Sequence, residues 1–215
     1  MKNTNVLIVG TGVLGAYLSN FLIKKKYNIF VTSRKLKRNY SNYQKLNIEK
    51  KINFKKLDIS NKKEIKQILK KINPQYIYYF AGISSITQSF KRPKETMISN
   101  YIGAKNFLEI IDKENIKTKF FKANSGYIFN GNGKKITTKS KLIKSNSPYT
   151  KSQIKSYKLI NKYRNKKLQC SNLIFFNIES PLRPDGYLIK KICNSIKLIK
   201  KNKLKKIKIG NINSI

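Results

Sequence analysis

The sequence predicts a doubly wound α/β fold, a parallel sheet with helices on both faces. Three observations carry that expectation. Apolar strand runs alternate with helix-period segments at least five times along the chain. The runs at 6–9 and 76–80 are apolar at every pleat, as strands buried inside a parallel sheet are. The first run also passes directly into closely spaced glycines and then a helix.

In chain order, the strand at 6–9 meets Gly10-Thr11-Gly12-Val13-Leu14-Gly15. The helix after it sets Leu14, Leu18, Phe21 and Leu22 on one face and closes on lysines 24–26, cations that suit a helix C-terminus. A second strand, 28–32, leads to Ser33-Arg34-Lys35, and residues 36–50 are polar and weakly patterned. A third strand, 52–57, ends at Asp58; Ile65, Ile68, Leu69 and Ile72 then recur at helical spacing. Pro74 introduces the fourth strand. A helix over 97–114 presents Ala104, Phe107, Leu108 and Ile111, and the fifth strand covers 119–123. Pro148-Tyr149 opens the next helix, and the sixth strand, 171–176, precedes a helix with Leu188, Ile189, Ile192, Ile196 and Ile199 on one face. No repeat or linker interrupts this order, so residues 1–215 read as one domain.

Composition narrows the function classes. Lys+Arg number 48 against 9 Asp+Glu, a formal charge of +39, and there is no histidine. Mechanisms with histidine as base, triad member or metal ligand are excluded, and no metal site is expected. Two cysteines, Cys170 and Cys193, make neither a four-cysteine zinc site nor a disulfide framework and read as buried small hydrophobes. Lysine supplies 43 of the 48 basic residues, and Ile, Lys and Asn dominate throughout. That pattern is a drift in residue usage rather than a selected basic face, and the arginines that read phosphates and bases are scarce. Specific nucleic-acid binding is not expected, although non-specific attraction to polyanions is. No window has the length of a membrane span or a signal peptide, which implies a cytoplasmic, reduced protein.

The glycine turn carries the first chemistry. Gly10 permits the tight turn, Gly12 lets the backbone approach a pyrophosphate, and Gly15 allows close helix packing. The N–H groups at the helix start then face the phosphates, the pattern of a Rossmann-like dinucleotide site. The second strand ends in Ser33-Arg34-Lys35 with no carboxylate for a ribose diol, so a 2′-phosphate and hence NADP is preferred over NAD, with Arg34 carrying the argument. Asp58 either reaches the adenine amino group or serves as a surface turn residue.

Further residues resemble the extended short-chain dehydrogenase/reductase family, and within it the GDP-mannose 4,6-dehydratase branch. They are Gly-Thr-Gly-Val-Leu-Gly-Ala-Tyr-Leu at 10–18, Leu57-Asp58-Ile59, Tyr79-Phe80-Ala81-Gly82 with Ser84, Ser89-Phe90, Pro93, Asn100, Gly103 and 106–109. Ser147-Pro148-Tyr149 and Phe176-Asn177-Ile178-Glu179-Ser180-Pro181 with Arg183 follow, and Gly210-Asn211-Ile212 looks like the start of a further family segment. The resemblance implies an internal redox cycle on a GDP-mannose-like nucleotide sugar: proton and hydride leave C4, a carboxylate takes the C5 proton, water leaves C6 and the hydride returns there. Tyr149 matches the tyrosine base, and Ser125, 24 residues earlier, the hydroxyl that binds the 4-OH. Ala81 joins the cofactor set, and Ser84 and Asn177 match residues around the nucleotide sugar. The resemblance also implies that most of the substrate lobe lies outside these residues, with its beginnings at 177–215, and leaves a homo-oligomer open, one that would have to overcome considerable like-charge repulsion.

The sequence departs from the family twice. Lysine is expected four residues after the tyrosine, where an ammonium would lower the tyrosine pKa and bind the nicotinamide ribose; here stands Gln153. Lys151 lies about 200° round the helix from Tyr149 and cannot substitute. The carboxylate expected two residues after Ser125 is replaced by Tyr127, a poor base for a C–H proton. Together these leave a reductase or epimerase, or an NADP-binding protein without catalysis, as alternatives to a dehydratase. Tyr149 also has a purely packing reading, and Glu179 one as the partner of Arg183.

Overall fold

The computed structural model describes residues 4–130, 135–137 and 139–209. Six strands form one parallel sheet: β1 (Asn5–Val9), β2 (Asn28–Ser33), β3 (Asn53–Lys56), β4 (Tyr76–Tyr79), β5 (Lys119–Ser125) and β6 (Cys170–Phe175). Their order is β3-β2-β1-β4-β5-β6, every pair parallel, so the chain runs outward from β1 in one direction and then in the other. The strand order reverses beside β1, where open α/β sheets bind ligands at their carboxyl edge.

The helices are α1 (Val13–Lys24), α2 (Ser41–Lys45), α3 (Lys62–Ile72), α4 (Ile86–Lys91), α5 (Pro93–Met97), α6 (Gly103–Lys113), α7 (Pro148–Asn165) and α8 (Leu188–Lys200). Alternation along β1 divides the layers. Leu7 and Val9 join the main apolar core with α3, α6 and α7 residues, including Ile65, Leu69, Phe107, Ile111 and Ile160. Ile8 points the other way, toward α1 at Gly15. Asn61 caps α3 by accepting from the N–H groups of Lys63 and Glu64, and Ser147 caps α7 by accepting from that of Thr150.

Several local expectations are corrected. Helix α1 buries Gly15, Ala16, Ser19 and Leu22, while Phe21 is exposed, because small residues let the helix sit close to the sheet. The weakly patterned stretch 36–50 holds α2 and a 3₁₀ turn, Glu49–Lys51, anchored by buried Tyr40, Tyr43 and Ile48. Aromatic packing of Tyr40 and Tyr43 against Phe54 supplies what the periodicity lacked. The helix expected over 97–114 starts earlier, at Pro93, and contains a π-helical turn at Ile98–Ile102. Strand β5 runs on to Ser125 rather than stopping at 123. Cys170 is buried as expected, but Cys193 is exposed.

The chain divides into two compact units, Met1–Phe176 and Asn177–Ile215. In the second, the apolar residues of α8 do not form a buried face: Leu188, Ile189, Ile196 and Ile199 are exposed, and Ser195 is the residue buried. Glu179 and Arg183 approach to 3.9 Å, and the Arg183 guanidinium lies 3.9 Å from the Tyr187 ring centroid. Gly210-Asn211-Ile212 falls outside the described residues.

Candidate functional site

The carboxyl ends of β1 to β4 open into a cleft of about 330 Å³. Gly10 and Thr11 line it from β1, Ser33 and Arg34 from β2, Asp58 and Ser60 from β3, and Ala81 and Gly82 from β4. Arg92, Glu95, Ile98 and Ser99 close it from the helical side. Of the sequence-predicted cofactor residues, Gly10, Arg34, Asp58 and Ala81 thus meet in one cavity.

Each glycine of the turn meets its own steric demand. Gly10 has φ +111°, and a Cβ there would lie 2.9 Å from Ala81 N, so the turn and the close passage of two backbones both require glycine. A Cβ at Gly15 would lie 2.7 Å from Gly10 O and 3.1 Å from the Tyr43 hydroxyl. At Gly12 a Cβ would meet nothing within 4 Å. Packing therefore does not explain Gly12; open space in front of it does. Gly12 is also the N-cap of α1 and makes no side-chain cap, which leaves first-turn N–H groups directed outward. An unfilled cradle at the positive end of a twelve-residue helix fits a pyrophosphate.

Charge in the cleft is mixed. Asp58 Oδ1 accepts from Ser60 N at 2.9 Å and Ser60 Oγ at 2.7 Å. These bonds hold its carboxyl below the usual range, with Arg34 adding to the effect. Asp58 therefore does structural work as a turn residue while also lining the cleft. Glu95 is bound by Arg92, which lowers its pKa, and Arg34 contributes again. No carboxylate stands at the end of β2.

The residues matched to chemistry lie farther along the sheet. Ser125 ends β5, is buried, and accepts from Tyr127 N at 3.2 Å. Tyr127 itself sits on a 3₁₀ turn, Gly126–Ile128, and is 57% exposed. Tyr149 is buried in the first turn of α7. One turn on, Gln153 is buried too, and its Oε1 makes no hydrogen bond among the described residues. Lys151 is exposed, as its place on the helix requires. Ser84 is exposed in the loop before α4, and Asn177 is the exposed first residue of the second unit.

Two residues acquire a structural role in three dimensions. Asn100, fully buried in the π-helical turn, accepts from Ile83 N at 2.9 Å and donates to Ile83 O at 3.1 Å and Ser152 Oγ at 3.0 Å. It ties the β4 loop to α7, and a Cβ at Gly82 would strike its Oδ1 at 2.3 Å. In sequence Asn100 stood among the residues of the family resemblance, without a role. Lys122 is the second: it lies at mid-strand in β5 and is 2% exposed. Among the described residues, no cluster of metal-ligating side chains occurs and no helix is long and apolar enough to cross a membrane.

Comparison with known proteins agrees with this geometry. The family described as GDP-mannose 4,6 dehydratase matches residues 7–215. GDP-mannose 4,6-dehydratase of Vibrio cholerae serotype O1 is 28% identical over all of this chain and 60% of its own length. GDP-mannose 4,6 dehydratase 1 of Arabidopsis thaliana is 29% identical over 96% of this chain, again 60% of its own length. The chain thus spans about 60% of these two curated relatives. Among solved structures, the dTDP-glucose 4,6-dehydratase DesIV of Streptomyces venezuelae superposes with TM-score 0.77 at 18% identity, covering 90% of this chain and 62% of that one. UDP-glucose 4-epimerase of Thermus thermophilus gives TM-score 0.77 at 18% identity, covering 93% and 63%. These two structures share the fold.

Proposed function

The chain belongs to the GDP-mannose 4,6-dehydratase family, and from that premise we propose that it binds NADP and a GDP-mannose-like nucleotide sugar and oxidises the sugar at C4, with the later elimination curtailed. The observation that carries the reading is the glycine turn: Gly10 and Gly15 are fixed by close contacts, while Gly12 faces open space at a helix N-terminus. Those residues would hold the pyrophosphate. Arg34 would take the 2′-phosphate, Asp58 the adenine, and Ala81 the floor of the cleft.

When bound, the nicotinamide supplies a hydride acceptor. Tyr149 removes the proton from the sugar 4-hydroxyl, and Ser125 holds that hydroxyl by a hydrogen bond. Gln153 bonds the nicotinamide ribose through its carboxamide but lends Tyr149 no charge. An ammonium at this position would favour the tyrosinate, and its absence makes C4 oxidation slow. Ser84 in the first unit and Asn177 in the second are the residues that the family pattern matches to the nucleotide sugar.

Tyr127 in place of a carboxylate is the reason for a curtailed reaction, since each such proton-transfer group is worth about 10²–10⁴ in rate. The same residue favours a second reading, a nucleotide-sugar reductase or epimerase, which needs no C5 base. The test is to mix the protein with NADP and GDP-mannose and follow both NADPH absorbance and sugar products. Stoichiometric NADPH with a 4-keto sugar and no 6-deoxy product is expected. Free turnover to a 6-deoxy-4-keto product would restore a complete dehydratase. Inversion at C4 would favour the epimerase, and bound cofactor with no sugar chemistry would leave a binding protein.

A further inference from the structure

Lys122 lies on the face of β5 that packs against α7. Phe120, one pleat earlier, belongs to the apolar core with Ile160, Tyr163 and Cys170. Asn124, one pleat later, donates to Asn172 Oδ1 at 2.5 Å, and Asn172 in turn reaches Tyr157 O and Asn161 Oδ1, both on α7, at 3.2 Å. Because β5 and β6 are parallel, the crossover helix α7 must run antiparallel to them. Stepping back from Ile160 along α7 therefore moves toward the carboxyl end of β5. Ser156 lies about 6 Å along and Gln153 about 10 Å, against about 7 Å for Lys122 and about 13 Å for Asn124 on the strand. The seam thus sets Lys122 beneath Ser156 and Asn124 beneath Gln153, with Tyr149 one turn beyond.

Its polar groups form an unusual set. Among the described residues Lys122 is the buried lysine, and none of the ion pairs includes it. Its Nζ donates to Ala123 O and stands 5.5 Å from the Tyr79 ring centroid. Three oxygens of the same seam, Asn124 Oδ1, Gln153 Oε1 and Ser156 Oγ, make no hydrogen bond among the described residues. An ammonium has three donors and no acceptor, and with one given to Ala123 O two remain for these oxygens, which suit its protonated form. A free amine needs them far less.

We propose that Lys122 is a positioning residue for Gln153: its ammonium form, with the two donors not given to Ala123 O, binds Gln153 Oε1 and Ser156 Oγ and draws the carboxamide onto the sheet, whereas its free amine leaves Gln153 to the nicotinamide ribose. The cofactor half of this statement rests on the function proposed above; the Lys122–Gln153 coupling does not. Burial lowers the Lys122 pKa to about 7, which puts the change near neutrality. The titratable groups facing the seam are Tyr79 on β4, Cys170 on β6, and Tyr149 and Tyr163 on α7. Burial raises Tyr79 and Tyr163 and pushes the Cys170 thiol up to about 11. Glu109 and Asp112 on α6 act at the Tyr163 end. Asn172, Ser99 and Asn100 are neutral.

Two measurements test the coupling between about pH 6 and about pH 8.5. The first follows the Gln153 side-chain amide by NMR in the cofactor-free protein. A shift through neutrality is expected in the wild type and not in Lys122→Met. The second is calorimetric NADPH affinity, expected to rise about three- to tenfold more over this range in the wild type than in Lys122→Met or Gln153→Leu. Comparing proteins at each pH removes the ligand's own titration. Circular dichroism checks each fold, and Lys122→Gln, which keeps a donor for Ala123 O, repeats the test if the methionine variant misfolds. An identical Gln153 profile in wild type and Lys122→Met overturns the proposal, as does a pH-dependent affinity that survives Gln153→Leu. Absence of NADPH binding at every pH would instead sink the cofactor reading, while the NMR profile still decides the coupling.

Discussion

The carboxyl edge of the sheet is built differently on its two halves. Over β1 to β3 the cleft is framed chiefly by backbone, a glycine turn, helix N–H groups and strand ends, with the Arg34 and Asp58 side chains lining it. Over β4 and β5 it is side chains: Ser125, Tyr149 and Gln153, with Tyr127 outside on a turn and Lys122 beneath. The backbone half follows the family pattern closely, whereas the side-chain half departs from it at two positions. A backbone cradle is fixed by sterics that the fold itself needs at Gly10 and Gly15, so changing it damages folding. A side-chain site can lose a lysine or a carboxylate and leave the sheet intact.

The largest expected effect is at Lys122. In the unfolded chain its pKa is near the ordinary 10.5, and in the fold about 7. Between those values the unfolded state binds more protons, so stability rises with pH from about 7 to about 10.5 and is flat in this respect below. Lys122→Met should remove that slope and stabilise the protein at neutral pH by up to about 4 kcal/mol, read by denaturant melts across the pH range. A slope that persists in Lys122→Met would show that it comes from other groups, and a wild type without the slope would show that the amine keeps its hydration.

Next come the glycines, which set fold against function. Gly10→Ala combines a positive φ with a 2.9 Å approach to Ala81 N and should cost about 1–3 kcal/mol. Gly12→Ala meets no neighbour and has an ordinary φ of −73°, so its melting should match the wild type while NADPH affinity falls about tenfold or more. Equal destabilisation by both would erase the distinction between a structural and a ligand-facing glycine. Arg34→Ala is the smaller change: a loss of about tenfold for NADPH and little for NADH, compared by fluorescence titration. Parallel losses for the two cofactors would remove Arg34 from 2′-phosphate recognition.

The same division explains what was legible in sequence. Strand runs such as 6–9 and the glycine spacing are local signals, and the doubly wound class followed from them, whereas the strand order came only with the pairing of the strands. Tyr43 is not legible as a core residue because its burial depends on an edge-to-face contact with Phe54, which sequence separation hides. Phe21 was placed inward because periodicity cannot tell that Gly15 and Ala16 bring a different face of α1 to the sheet. Lys122 was invisible for a related reason: in a chain with 43 lysines, composition argues for solvent, and only strand pairing puts one in the core. The Tyr127 and Gln153 departures were legible because the family pattern names their neighbours; Gln153's unbonded oxygen was not.

The most direct test of the central claim is a calorimetric titration of the wild type and Gly12→Ala with NADPH, at salt high enough to suppress non-specific binding to a chain of charge +39. The account predicts saturable one-site binding by the wild type, and binding weakened about tenfold or more in a variant of unchanged melting temperature. Equal affinity in the two proteins, or no binding by a folded wild type, would contradict it.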